Sequence, residues 1–239
     1  MENHYRRRRI SLVTVVIAVI TVIVINYGNP FQSLTNPAGS SSVTSSPAIA
    51  ALSSLSIKGR APKTDYSRAQ FGNGWKLING CDTREIILNR DLTNVVLDQS
   101  CNVVSGILND PYTGKTIQFS RGASSSSAVQ IDHVVALSDA WQKGAQNITA
   151  TKREELANDP LELLAVDGPT NLNKLDGDAA TWLPPNKNFR CQYVARQIAV
   201  KQKYQLWVTQ AEHDAIQSVL ASCPNQPVPN LSFNANNSL

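Results

Sequence analysis

The chain has 239 residues, of which 42% are hydrophobic, and this length allows one domain of ordinary size with residues to spare. Its 22 basic and 18 acidic side chains give a net charge of +4, but residues 1–57 hold four arginines and one glutamate, which leaves 18 basic against 17 acidic side chains in the rest. A domain with a net charge of only +1 is not globally basic, which counts against a sequence-reading DNA-binding protein but not against an enzyme that contacts a few phosphates.

The N-terminus combines positive charge with an apolar segment. Four arginines, 6–9, precede sixteen uncharged residues, 10–25, and this length lies between a signal-peptide core and a membrane-spanning helix. Residues 1–27 are therefore expected to be a signal peptide or an uncleaved signal anchor, which would make the membrane a partner. In both cases the arginines remain cytoplasmic, and the protein is secreted or anchored on the extracytoplasmic face of the cell membrane.

Composition divides the remaining residues into three regions. Residues 28–65 are rich in Ser, Pro, Ala and Asn, with no charged side chain before Lys58, and are predicted to be a disordered linker. Residues 66–223 are predicted to be the folded domain. The Pro- and Asn-rich residues 224–239 are predicted to be a disordered tail.

Strands and helices are both predicted in the folded domain, which indicates an α+β fold. Thr209 and Glu212 have the spacing of a capping box at the start of the last helix. In chain order the predicted elements are a helix at 83–88, strands at 95–97 and around a turn at 110–114, a strand at 129–135, helices at 137–145 and from 151, a strand at 161–166, and helices from 171, at 189–204 and from 209.

Four cysteines, Cys81, Cys101, Cys191 and Cys223, lie in the part that is expected to be exported. In an oxidising compartment they should form disulfides, for which three connectivities exist. We favour the local pairing, Cys81 with Cys101 and Cys191 with Cys223, since the second pair would close a hairpin of the last two helices. A zinc site is the alternative, but the chain has no Cys-x-x-Cys pair.

An acid and an imidazole are adjacent in the strand predicted at 129–135. Asp132 and His133 should point to opposite faces of this strand, which is costly unless each side chain is paired or functional. The alternative is a core histidine whose hydrogen bonds are satisfied within the protein. About forty residues later, residues 167–178 are rich in carboxylate and amide side chains and begin a predicted helix.

Three sequence segments make the pattern around Asp132 and His133 specific: Gln130–Trp141, Leu163–Asn171 and Asp178–Pro185. Together they resemble the ββα-metal core of HNH endonucleases, most closely the exported branch related to the C-terminal domain of GmrSD-type restriction endonucleases. The resemblance covers roughly residues 75–223. It implies an HNH core with additional N-terminal strands and a C-terminal helical hairpin.

The resemblance also implies an activity, which is metal-dependent hydrolysis of phosphodiester bonds in DNA or RNA with little sequence specificity. His133 matches the general base, Asp132 a metal ligand, and Asn171 the ligand on the helix, with Asn173 as the less favoured candidate. The cofactor would be one divalent ion, Mg²⁺ or Mn²⁺, which stabilises charge on the phosphate and the leaving group. This hypothesis requires His133, Asp132 and Asn171 to converge on one ion.

Glu162 departs from the family pattern, which has asparagine at this position of the second strand. A carboxylate there is expected to orient His133 and to raise its pKa. Lys174, Arg190 and Arg196 are candidate contacts to the nucleic-acid backbone, with solvated basic side chains as the alternative.

The enzyme is expected to be a monomer. Two other functions are alternatives to it. One is a catalytically inactive, envelope-anchored binding or structural module that retains the HNH fold, for which Glu162 is the main support. The other is a serine hydrolase, which the sequence does not favour because it has no Gly-x-Ser-x-Gly motif.

Overall fold

The computed structural model describes residues 47–122 and 126–229. The predicted signal segment 1–27 and residues 28–46 of the predicted linker lie outside these ranges. No helix within them is long and apolar enough to cross a membrane.

The described residues contain both helices and short antiparallel strands, which is consistent with the α+β class. The α-helices there are α1 (Pro47–Ser53), α2 (Thr83–Asp91), α3 (Leu137–Gln142), α4 (Ala150–Ala157), α5 (Gly168–Lys174), α6 (Arg190–Lys203) and α7 (Gln210–Leu220). The strands are β1 (Leu77–Ile78), β2 (Cys81–Asp82), β3 (Leu92–Leu97), β4 (Val103–Asn109), β5 (Thr116–Ser120), β6 (Val129–His133) and β7 (Leu163–Asp167).

The strands form small antiparallel sheets, in the groups β1–β2, β3–β4–β5 and β6–β7. Strands β6 and β7 pair in the register Asp132 with Leu164 and His133 with Leu163. Helix α5 follows β7 directly and packs against both strands. The residues between the two strands contain α3 and α4.

The ends of β6 and α5 differ from the sequence prediction. Strand β6 ends at His133, two residues early, because the chain bends at Val134 and Val135 before it enters α3. Helix α5 begins at Gly168, not at Asn171, because the Asp167 carboxylate accepts a hydrogen bond from the Thr170 amide at 2.8 Å and caps the helix.

The β6–β7 hairpin separates two clusters of buried apolar side chains. Val129 and Ile131 of β6 face a cluster that includes Leu88 of α2. Leu164 and Val166 of β7 face the larger cluster, to which α1, α6 and α7 contribute. Because side chains alternate along a strand, the hairpin presents a different environment on each face.

The folded part begins earlier than the sequence predicted. Ala48 and Leu52 of α1 are buried, and this helix packs against α6 and α7. Ile57 then forms a parallel β-bridge with Val208. The predicted disordered linker is therefore wrong for residues 47–65, since its apolar side chains complete the core.

The predicted disordered tail is also wrong for its first residues. The Gln226 carbonyl accepts a hydrogen bond from the Ala48 amide at 3.3 Å, and Val228 packs against the larger core cluster. Residues 230–239 lie outside the described ranges.

Two disulfides close local loops. Cys81 is bonded to Cys101, and Cys191 to Cys223, which is the favoured pairing. The second bond connects the start of α6 with the residues that follow α7. A zinc site built from these four cysteines is thereby excluded.

Candidate active site around His133

His133, the last residue of β6, is 6% exposed and is held by a backbone carbonyl. Its Nε2 lies 3.0 Å from the Ala157 carbonyl oxygen at the end of α4. Since a carbonyl only accepts hydrogen bonds, Nε2 carries the proton and Nδ1 of the neutral ring has a free lone pair. Burial and, next, the positive charge of Arg68 lower the pKa of His133 to about 3, so the ring is neutral near pH 7.

A cavity of about 140 Å³ lies beside this imidazole. Its walls include His133, Arg68, Phe71, Trp75 and Ala157. The Trp75 ring is stacked on the imidazole, with 5.8 Å between the ring centroids and 6° between the planes. The cavity has room for several water molecules, and the imidazole is held in one orientation by an aromatic face and a carbonyl.

Asp132 belongs to a different environment on the other face of β6. Its Oδ1 accepts a hydrogen bond from Lys174 Nζ at 2.8 Å, and its Oδ2 accepts one from the Tyr112 hydroxyl. Lys174 Nζ also donates to the His133 carbonyl oxygen at 2.6 Å. All three side chains are buried, so the charge of Asp132 is compensated inside the protein by an ammonium group.

A turn of the β4–β5 hairpin brings Tyr112 to this position. The Asp110 carboxylate accepts hydrogen bonds from the Thr113 amide at 2.7 Å and from the Asp167 amide at 2.9 Å. The turn is thereby fixed to the junction of β7 and α5, next to the helix that carries Lys174.

The two candidate asparagines of α5 do not join His133. Asn171 Nδ2 donates to Gln130 Oε1 at 2.9 Å, and Asn173 is exposed. Gln130 and Asp132 share a face of β6, because they are two residues apart, and this face contacts α5. Asp132 and Asn171 are thus on the α5 side, whereas His133 lies on the opposite side, and the predicted convergence of the three is not found.

This donor arrangement does not fit the predicted divalent ion. A cation at Asp132 would have to displace or lie beside the Lys174 ammonium, which already occupies Oδ1. Over residues 47–122 and 126–229, no group of three or more His, Cys, Asp or Glu side chains could hold a metal ion. Of the predicted ligand set, Asp132 is thus in an ion pair with Lys174, whereas Asn171 donates to Gln130 and Asn173 is exposed.

Glu162 has another partner than the predicted one. It is fully buried, and its carboxylate oxygens accept hydrogen bonds from the Val135 amide at 3.3 and 3.2 Å. Burial raises its pKa well above the usual value. The carbonyl of Ala157, which side-chain patterns do not reveal, orients His133 instead, and the pKa of His133 is lowered, not raised.

Of the predicted substrate contacts, Lys174 and Arg196 are used inside the protein. The Arg196 guanidinium donates to the carbonyls of Leu161, Pro160 and Leu163 at 2.6 to 2.9 Å. Arg190 donates through Nε to a carbonyl at 2.8 Å and lines an open groove at the surface.

The sequence reasoning missed two residues that the structure places beside His133. Arg68 and Trp75 both line its cavity. The signal for them in the sequence is weak, because it consists of two glycines, Gly72 and Gly74, between the aromatic residues Phe71 and Trp75.

Comparison with known proteins agrees with the resemblance that the motifs suggested. Residues 82–219, more than half of the chain, match the family described as GmrSD restriction endonucleases, C-terminal domain. The chain is also 40% identical over 183 residues to a protein of Arthroderma benhamiae described as an uncharacterized secreted protein, an alignment that covers 75% of this chain and 86% of the relative. The chain therefore belongs to the family of the C-terminal domain of GmrSD restriction endonucleases.

Proposed function

We propose that this domain is an endonuclease that hydrolyses phosphodiester bonds of DNA or RNA with little sequence specificity, with His133 as the general base. One observation carries the proposal: a neutral imidazole, fixed through Nε2 by the Ala157 carbonyl, lines a cavity with its Nδ1 free. The family match supplies the reaction class.

The proposed role of His133 is to take a proton from the attacking water. A neutral Nδ1 can accept this proton, but a base with a pKa of about 3 is weak at pH 7. An anionic phosphate in the cavity would offset the positive charge of Arg68 and stabilise the imidazolium form. Binding of the substrate would therefore raise the pKa of His133 towards the working pH.

The order and packing of β6, β7 and α5 support an HNH-type ββα core. We assign no step to a divalent ion, because Lys174 compensates the charge of Asp132. Mg²⁺ and Mn²⁺ remain the ions to test, since the family resemblance implies them.

We further propose that the protein is exported and acts as a monomer. The two disulfides are typical of oxidising compartments, and the relative from Arthroderma benhamiae is described as secreted. The membrane would be a partner only if residues 1–27 stay attached as an anchor.

The competing function is a non-catalytic binding or structural module. The closed ion pair of Asp132 with Lys174 and the full burial of Glu162 favour it, because both carboxylates are occupied within the protein.

Cleavage assays with the purified full-length protein separate the two functions. Supercoiled plasmid, single-stranded DNA and RNA are incubated with Mg²⁺, with Mn²⁺ or with a chelator. Internal cleavage of any substrate supports the endonuclease, and no cleavage under any condition supports the module. Cleavage that requires Mg²⁺ or Mn²⁺ would contradict a mechanism in which no step is assigned to a divalent ion.

A further inference from the structure

Arg68 is an exposed guanidinium on the wall of the His133 cavity. It belongs to a single 3₁₀ turn, Arg68–Phe71, that packs against α4. Arg153 of α4 fixes this turn, because its guanidinium donates to the Gln70 carbonyl at 2.8 Å and to Gln70 Oε1 at 3.1 Å. The position of Arg68 is therefore set by the same helix that orients His133.

The loop after this turn carries Trp75 to the imidazole. Gly72 and Gly74 have φ angles of 98° and 108°, which side chains other than glycine rarely adopt. The amide of Lys76 then donates to Asn158 Oδ1 at 2.8 Å, just beyond α4. The loop is anchored on both sides of Trp75, which explains how this ring is held parallel to His133.

The charge of Arg68 is not compensated within the part of the chain that the structure describes. Among residues 47–122 and 126–229, Arg68 makes no hydrogen bond and no ion pair, whereas Arg60, Arg121 and Arg153 are bonded to carboxylates or carbonyls. The residues that line the cavity include no acid. Glu154 of α4 lies against Gly72, outside this lining. Arg68 is the charged side chain of the lining, and its positive charge suits an anion.

We propose that Arg68 binds an anionic phosphoryl group in this cavity, beside His133. In the proposed endonuclease, on which this role rests, the anion is the scissile phosphodiester of the nucleic acid. Trp75 is a positioning residue, whose ring is stacked on the imidazole and holds it in one orientation beside this phosphate. Both residues precede the part of the chain that matches the family, residues 82–219, so this half of the site comes from the N-terminal segment.

Inorganic phosphate is the first probe, because it tests the site without cleavage. NMR signals of the His133 ring are followed during phosphate titration of the wild-type protein, Arg68→Gln, Arg68→Lys and, as a control for a lost surface charge, Lys115→Gln. We expect Arg68→Gln to weaken phosphate binding about 10- to 100-fold, since a charge-assisted hydrogen bond is lost. Arg68→Lys should retain part of the affinity, and Lys115→Gln all of it.

Equal phosphate affinity of the wild type and Arg68→Gln would overturn the proposal, and so would a wild-type protein that binds no phosphate. Because Arg68 is exposed and unpaired within the described residues, its replacement should leave the thermal unfolding unchanged. This second measurement distinguishes lost binding from lost folding.

Cleavage kinetics then separate this proposal from the proposed function. With an active wild type, Arg68→Gln should lower kcat/KM about 10- to 100-fold by the same lost hydrogen bond. Trp75→Ala should lower kcat with little change in KM, because it disturbs His133 and not the phosphate contact. An inactive wild type that still binds phosphate through Arg68 would refute the endonuclease alone, whereas wild-type kinetics of Arg68→Gln would refute the role of Arg68 alone.

Discussion

A backbone carbonyl determines the protonation chemistry of His133. Because Ala157 accepts from Nε2, an added proton must go to Nδ1, which has no hydrogen-bond partner among the described residues. The charged ring would be buried beside the positive charge of Arg68. Folding therefore favours the neutral ring, and the protein holds a free base that is costly to protonate.

This low pKa predicts that acid destabilises the protein through His133. The folded-state pKa of about 3 is below the unfolded value of 6.5, so the unfolded state gains the proton first as the pH falls. The contribution of His133 to the free energy of unfolding is complete above pH 6.5 and is lost as the pH falls from 6.5 towards 3. Between pH 7 and pH 4.5 we expect a loss of about 2–3 kcal/mol.

Urea unfolding of the wild type and His133→Gln at these two pH values measures this loss. Glutamine can still donate to the Ala157 carbonyl but does not titrate, so its stability should fall less with acid. The half-buried His213 is present in both proteins and cancels. Equal acid dependence of the two proteins would contradict the assigned protonation state.

At the scale of elements, strand β6 separates two residues that the sequence places side by side. Its period of two directs Asp132 towards α5 and His133 towards α4 and the segment before β1. Lys174 of helix α5 forms an ion pair with Asp132 at 2.8 Å. The Tyr112 hydroxyl donates to the other carboxylate oxygen of Asp132. The pair stabilises the hairpin–helix junction through charge compensation in a buried place.

Replacement of Lys174 by methionine should therefore cost about 3–5 kcal/mol of the free energy of unfolding, because Asp132 is left buried without its cation. The double variant Lys174→Met with Asp132→Asn should recover part of this loss, since the uncompensated charge is gone. Urea unfolding of the single and double variants measures both effects. A double variant that is less stable than Lys174→Met would show that the pair is not coupled in this way.

Local sequence signals predicted the elements that local contacts form. The Thr209 hydroxyl accepts from the Glu212 amide at 3.2 Å, as the capping box indicated, and Asp132 and His133 lie in a strand. Contacts distant in sequence were not predictable from these patterns. The pairing of Lys174 with Asp132 spans 42 residues, and the Ala157 carbonyl that holds His133 has no side-chain signature, so neither contact was predicted.

At the scale of the whole molecule, a buried network of charges ties the N-terminal segment to the helices. Lys143 Nζ lies 2.7 Å from carboxylates of Asp139, Asp178 and Glu212. Arg60, from the segment that was predicted to be a linker, lies 2.7 Å from Asp178. Amino-acid composition does not reveal this role, because residues 47–65 make their buried contacts with residues that are distant in sequence.

Leu52→Ala tests whether this segment belongs to the folded domain. Leu52 is 1% exposed, so its truncation should lower the free energy of unfolding by about 2–5 kcal/mol, as expected for a large-to-small change in a core. Ser56→Ala, at an exposed position of the same segment, serves as the control and should change little. If urea unfolding shows equal stability of Leu52→Ala and the wild type, residues 47–65 are a linker and not part of the folded domain.

The assignment of His133 as the base is tested most directly by the nicking rate of supercoiled plasmid, measured under single-turnover conditions for the wild type, His133→Ala and His213→Ala. We expect His133→Ala to be slower by about 10²- to 10⁴-fold, the usual contribution of a general base, and His213→Ala to match the wild type. A His133→Ala variant that nicks the plasmid as fast as the wild type would contradict the account.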